Sequence, residues 1–326
     1  QLRHRIAQRG ARDAKPLRQF PLGRQLLARP EDARAMPEIE RQAAAAFAGE
    51  AGIDPERTAS ILTDATDAVL EGALTVATGL VIAQRDGVEA VSAGPDAGGC
   101  WQAARARHAI IAMGRLGGRE IGYASDADVL FVLQARDGAG EEDAAQEAEA
   151  VAKQVMGLLA AALPHPLEVD CDLRPEGRNG VMSRSLDAYR EYYGRWSALW
   201  ERQALLRARP CSGDRELGRR FEELVNPLRW AQKGLAPQDL REIRRIKARV
   251  EAERLPRGID PARHLKLGRG GLADIEWTVQ LLQMQHAHAV PGLRTTRTLA
   301  ALRAAAEAGL VADDDAATLC QAWRTV

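Results

Sequence analysis

The sequence predicts an α+β domain followed by an all-helical region. Two observations lead there. Three short apolar runs alternate with helical patterns between His108 and Leu173. From Asp187 onward, nearly every stretch carries helical spacing of its apolar residues, with Gly or Pro at most boundaries. A length of 326 residues sets a prior of about two domains.

Taken in order, residues 1–60 are polar, Arg-rich and Pro-punctuated, and read as a helical extension or linker. Residues 58–83 read as a helix with Ala65, Val69, Leu70 and Leu74 in period. His108 to Met113 (HAIIAM) predicts a buried strand. Gly114 to Ser125 is then a Gly-containing turn, and Asp126 to Leu133 (DADVLFVL) a second strand. An acidic loop over 137–147 leads into a helix from Ala148 to Leu163. After Pro-His-Pro, Leu167 to Leu173 (LEVDCDL) predicts a third strand. Helices are expected at 187–200, 201–209, 215–225, 237–254, 272–289, 295–308 and from 314 to the end. The expected division is a catalytic domain over 61–212 and a helical bundle over 213–326. The chain starts without Met and ends inside a helical pattern, so a fragment of a longer protein is expected.

Composition narrows the function. Lys plus Arg and Asp plus Glu number 45 each, giving zero net charge. That argues against a protein whose main task is holding nucleic acid by counterion release. Hydrophobic residues at 46% and charged residues at 28% exclude dominant disorder. Arginine supplies 40 of the 45 cations, which reads as coding bias. No run reaches 18 apolar residues, and Gly72 to Gln84 is interrupted by two Thr and two Gly, so no membrane association is expected. Cys100, Cys171, Cys211 and Cys320 form no C-x-x-C, so neither disulfides nor zinc is expected, and a reducing cytoplasm fits. Serine-hydrolase, complete P-loop and zincin motifs are absent from the sequence.

The informative segment is GRLGGREIGYASDADVLFV, Gly114 to Val132. Strand side chains alternate with period two, so Asp126 and Asp128 project from one face. Two carboxylates there repel unless a cation lies between them, and hard oxygen ligands suit magnesium. The third strand offers Asp170 and Asp172 at the same spacing. If these strands are neighbours, three or four acids converge as two-metal phosphoryl transfer requires. Gly117 and Gly118 allow close approach of backbone to phosphate. Each feature alone is weak; a solvated turn would account for an isolated Asp-x-Asp. In combination they resemble, in order, the polymerase-beta type nucleotidyltransferase fold.

The resemblance then becomes specific. AMGRLGGREIGYASDADVLFV, VDCDLRPEGRNG (Val169 to Gly180), WERQALLRARPCSGD (Trp200 to Asp214) and HLKLGRGGLADIEWTVQ (His264 to Gln280) resemble the motifs of the glutamine synthetase adenylyltransferases. The four blocks keep that family's order and spacing from about residue 105 to the end. One departure is Asp172, which stands where the pattern has Arg. It is either a fourth acid of the site or an acid paired with a neighbouring Arg. Family members carry two catalytic units, one attaching AMP to a tyrosine of glutamine synthetase and one removing it by phosphorolysis. This chain holds one unit, and its motif wording looks more like the adenylylating one.

The resemblance implies ATP as substrate, magnesium (or manganese) as cofactor, glutamine synthetase as protein substrate and a PII-type signal protein as a further partner. It gives Asp126, Asp128 and Asp170 as metal-binding catalytic residues. Gly117, Gly118 and Ser125 are expected at the nucleotide, although a turn accounts equally well for Ser125. Arg174 and Arg178 can meet phosphates, or pair with Glu168 or Glu176. Glu201, Arg207 and Arg209 can share a face of one scaffold helix. Lys266 and Arg269 flank a Gly-rich loop at a helix N-terminus, a plausible anion site. Asp274 and Glu276 would serve that helix's dipole. The competing readings are AMP removal on the same fold, a related uridylyltransferase or RNA-end enzyme, and a catalytically silent regulatory module.

Overall fold

The computed structural model describes residues 54–87, 102–123, 125–162, 166–254, 264–268 and 270–325. Residues 1–53 of the expected extension lie outside them. By its internal contacts the chain divides into two compact units. One holds the described residues up to Ser197 together with Arg207–Val225; the other holds Ala198–Leu206 and the chain from Asn226.

The first unit opens with helix α1, Pro55–Asp86. Asp54 caps it by accepting the Glu56 N–H at 3.1 Å, Pro55 sits where no N–H is needed, and Gly87 ends it at φ 65°. Its buried threonines are self-satisfied: the Thr63 and Thr78 hydroxyls each donate to the carbonyl four residues back, at 2.7 Å. By length and composition α1 is apolar enough to cross a membrane. It meets that measure although no run of 18 apolar residues occurs, because Thr and Gly punctuate the segment without making it polar. Yet Leu70, Ala73, Leu74 and Ala77 lie in the core against the sheet. Asp64, Asp67 and Arg85 pair with Arg119, Arg209 and Glu147. Those ties are those of a core helix. Val69, expected in the buried stripe, is 48% exposed.

Strand β1, Ala106–Ala112, is followed by a single helical turn α2, Gly114–Gly117, and by β2, Ala127–Ala135. Helix α3, Glu141–Ala160, starts at the acidic residues expected to form a loop. Glu141, Glu142 and Asp143 occupy its first turn, where negative charge favours the helix dipole. Strand β3 is only Val169–Asp170, shorter than the expected run. Then come β4, Ser183–Ser185, and α4, Leu186–Trp196. Helix α5, Leu199–Leu205, belongs to the second unit. Strand β5, Arg209–Gly213, returns to the first, and α6, Arg215–Arg229, contains the boundary between units.

The sheet runs β3-β2-β1-β5, with β4 also on β2. Strands β1 and β2 pair antiparallel, as do β1 and β5, whereas β3 and β4 pair parallel to β2. One face packs on α1 and α3, through Ile110, Ala112, Val129 and Phe131 against Leu70, Leu74, Val151 and Val155. Tyr189 of α4 donates its hydroxyl to Phe131 O at 3.3 Å and meets Phe221 of α6 edge-on. The architecture is mixed α/β with a small mixed sheet.

The second unit continues with α7, Pro237–Arg254, α8, Leu272–His286, α9, Thr298–Glu307, and α10, Asp313–Thr325. Leu272, Ile275 and Val279 form the expected buried stripe of α8 and pack with Leu299, Leu302, Ala305, Cys320 and Trp323. The buried Gln283 amide donates to Leu293 O and Thr295 O, fixing the loop before α9.

Candidate active site

Parallel pairing of β2 with β3 places Asp128 beside Asp170, since directly paired residues of neighbouring strands point to the same side. Asp126 lies just before β2 on the same alternation. The ligating oxygens of Asp126, Asp128 and Asp170 all lie within 4.8 Å of one another. Three like charges this close are held together most readily by a cation, and an all-oxygen donor set suits magnesium or manganese. The residues present therefore fit a divalent ion. Asp170 Oδ1 accepts the Asp172 N–H at 2.6 Å, which fixes the orientation of that carboxylate.

Asp172 itself turns away from the triad. Its carboxylate accepts from Arg178 Nε at 2.7 Å and stands 3.9 Å from Arg174. Of the two readings left open by the sequence, the paired acid is the observed one. The Arg178 partner is thus Asp172, not Glu168 or Glu176; Glu176 pairs with Arg184. Arg174 is 8% exposed and donates to three backbone carbonyls, Cys171 at 2.9 Å, Gly180 at 3.0 Å and Arg178 at 3.2 Å. Its guanidinium braces the loop after β3. Burial, opposed by the charge of Arg174 and reinforced by Asp170, Asp172 and Asp128, pushes the Cys171 thiol up to about 12.

The glycine turn is packed more tightly than its sequence implies. Gly114, at φ 50°, lies against Asp128: a methyl there would stand 1.9 Å from Asp128 Oδ2. Gly117 faces backbone, with a methyl falling 1.9 Å from Arg207 O. The Gly117 N–H donates to Met113 O at 2.7 Å and the Gly118 N–H to Gly114 O at 3.2 Å, so both amides are engaged within the turn. Ser125 occupies a turn before β2, its N–H donating to Gly122 O at 3.3 Å.

Arg207 and Arg209 do not extend a helix from Glu201. Helix α5 stops at Leu205, and Arg209 opens β5. Glu201 serves its own helix by accepting the Ala198 N–H at 2.7 Å. Arg207 pairs with Glu120 at 2.6 Å, both side chains at most 6% exposed. Arg209 donates to both Asp67 oxygens, at 2.8 and 3.0 Å, and to Leu116 O at 3.2 Å. Burial raises the Asp67 carboxyl above the ordinary carboxylate range, with Arg209 opposing.

In the second unit, the expected anion site at α8 has its donors engaged. Leu272 N–H and Ala273 N–H donate to Leu265 O and Lys266 O, and Asp274 N–H to Gly271 O. Asp274 accepts the Gly270 N–H and pairs with Lys247. The helix terminus is closed by its own acid and loop, so Asp274 does serve the dipole. Lys266 is exposed; Arg269 lies outside the described residues.

Gly114, Glu120 and Asp67 join the surroundings of the site without having stood out by residue type. Gly114 could have been noticed as a glycine directly after a buried strand, where a positive φ turns the chain. No sequence signal pairs Glu120 with Arg207 across 87 positions.

The small mixed sheet with three carboxylates meeting at paired strand ends is consistent with a nucleotidyltransferase-type domain. Comparison with known proteins gives the family. A family model described as glutamate-ammonia ligase adenylyltransferase matches residues 31–224, and one described as GlnD PII-uridylyltransferase matches residues 243–326. Similar curated proteins are bifunctional glutamine synthetase adenylyltransferase/adenylyl-removing enzymes. Those of Streptomyces avermitilis and Streptomyces coelicolor are each 57% identical over 218 residues, covering 67% of this chain and 22% of the relative. That of Mycobacterium avium is 56% identical over 232 residues, covering 71% of this chain and 23% of the relative. The chain belongs to the glutamate-ammonia ligase adenylyltransferase family and spans about a fifth of the length of these relatives.

Proposed function

We propose that this chain transfers AMP from ATP to a tyrosine hydroxyl of glutamine synthetase with release of pyrophosphate. The observation that carries the reading is the meeting of Asp126, Asp128 and Asp170 within 4.8 Å, in a chain of this family. The fold is read as the polymerase-beta type, with catalysis in residues 61–212 and a helical bundle over 213–326. A cytoplasmic location belongs to the same reading.

In this mechanism Asp126 and Asp128 would hold two magnesium ions, or manganese, and Asp170 would share in holding the catalytic one. Bound divalent ions would supply charge neutralisation at the entering and leaving oxygens. The tyrosine oxygen bonds to the α-phosphorus in line with the departing pyrophosphate, and the phenolic proton is released to solvent. Asp170, oriented by the Asp172 amide, favours that deprotonation. Gly117 and Gly118 belong to the turn that would seat the triphosphate, with Ser125 adding a hydrogen bond to it. Arg174 acts by holding the loop that follows Asp170. For Lys266 and Arg269 the support is their motif alone.

The relatives' names include adenylyl removal as well, which supports a second reading: phosphorolytic release of AMP by the same acids. The match of residues 243–326 supports a PII-type signal protein as a partner. Intact mass of glutamine synthetase after incubation with this chain, ATP and magnesium tests the first reading. It expects one AMP per subunit, absent with Asp128→Asn. No gain, together with AMP release from adenylylated synthetase and phosphate, would move the assignment to the second reading. Neither reaction would refute both.

A further inference from the structure

Arg207 and Arg209 sit two residues apart at the entry to β5, and both grip the glycine turn. The Arg207 carbonyl lies where any Gly117 side chain would fall, and its guanidinium holds Glu120, just beyond the turn. Glu120 is tied back into the turn by its own N–H on Arg115 O at 2.8 Å. Arg209 takes the turn from inside, through Leu116 O, while Asp67 of α1 holds its fork on the other side. On the opposite flank the turn meets the metal triad. Met113 N–H donates to Asp128 O at 2.8 Å, and Gly114 abuts the Asp128 carboxylate.

The turn is therefore a wedge between β5 and Asp128. Close-packed groups transmit a shift rather than absorb it. We propose that the Glu120–Arg207 and Asp67–Arg209 pairs are positioning residues: they press the Gly114–Gly117 turn onto Asp128 and so set the carboxylate geometry that receives the divalent ion. This rests on the proposed metal-dependent function of the triad.

Arg209 meets Asp67 in a bidentate geometry that Lys cannot reproduce. Arg209→Lys keeps the charge but loses the fork that spans Asp67 and Leu116 O. Glu120→Gln keeps the shape but removes the carboxylate charge that meets the Arg207 guanidinium.

The test is Mn2+ affinity of the metal-free 326-residue chain, measured by water-proton relaxation, beside amide hydrogen exchange at Gly117 and Gly118 and the melting temperature. In Arg209→Lys and Glu120→Gln the proposal expects Mn2+ affinity lower by about 10- to 100-fold, the range for residues that orient metal ligands. It expects faster exchange at both glycine amides, and a Mn2+ deficit that persists well below the melting temperature. Asp67→Asn and Asp67→Glu should each lower Mn2+ affinity too, the first by removing the charge opposite Arg209 and the second because the longer acid displaces the fork. Folded variants with wild-type Mn2+ affinity would overturn the proposal. So would a Mn2+ loss that merely tracks unfolding, including failure of both variants to fold, because the pairs would then be fold contacts alone. No Mn2+ binding by the unaltered chain would instead refute the function on which the inference rests.

Discussion

Gly114 lies directly against Asp128: a methyl on its α-carbon would stand 1.9 Å from the carboxylate oxygen. Its φ of 50° adds a second reason for glycine, since a left-handed conformation costs other residues about 1–2 kcal/mol. Gly114→Ala is expected to lower Mn2+ affinity by about 10- to 100-fold, because the carboxylate must move.

The glycines of the long helices carry the opposite expectation. Nothing lies within 4 Å of a methyl at Gly72 of α1 or Gly157 of α3. Alanine at either position should stabilise the protein by about 0.5–1 kcal/mol. Gly117→Ala, facing two backbone carbonyls, should destabilise it by about 1–3 kcal/mol. Urea midpoints of the three variants check the contrast.

Asp170 and Asp172 are two residues apart, yet only Asp170 joins the triad. Asp170→Asn should weaken divalent-ion binding by at least about 100-fold through loss of a charged ligand. Asp172→Asn should leave binding and melting temperature nearly unchanged, because the backbone N–H that orients Asp170 remains. Parallel titrations of the two variants decide the matter.

His108 makes the fold acid-sensitive. Burial in β1, aided by the charge of Arg136, lowers its imidazole to about 4. The unfolded chain therefore takes up a proton below about pH 6.5 that the folded chain refuses until about pH 4. The stability present above pH 6.5 should fall by about 3 kcal/mol as pH drops through that window. In His108→Gln, urea midpoints against pH should lose most of that slope.

Asp274 closes the N-terminus of α8 and pairs with Lys247. Asp274→Ala should cost about 1 kcal/mol of stability, through loss of a first-turn charge and of the bond from the Gly270 N–H, whereas Lys266→Ala, at an exposed position, should change little. Thermal melts of both variants provide the comparison.

The two long strands and the acids on β2 and β3 were legible because their signals are local: alternation on a strand, and apolar runs bounded by turns. Strand β5 was not. WERQALLRAR is rich in helix formers, and only pairing with Ala109–Ala112 of β1 makes Arg209–Gly213 a strand. Ser183–Ser185 is too short and polar to carry a period. The role of Asp172 depended on which way a loop turns its side chain, and Arg174 sits within that same loop. The start of α3 was misplaced because three acids read as a solvated loop, although the dipole favours them in a first turn.

The proposed function requires Asp126, Asp128 and Asp170 to form one divalent-ion site. Water-proton relaxation with Mn2+, on the unaltered chain and on Asp128→Asn, tests it most directly. The expected result is Mn2+ binding that magnesium displaces and that Asp128→Asn weakens by at least about 100-fold. Equal binding by both proteins, or none by the unaltered chain, would contradict it.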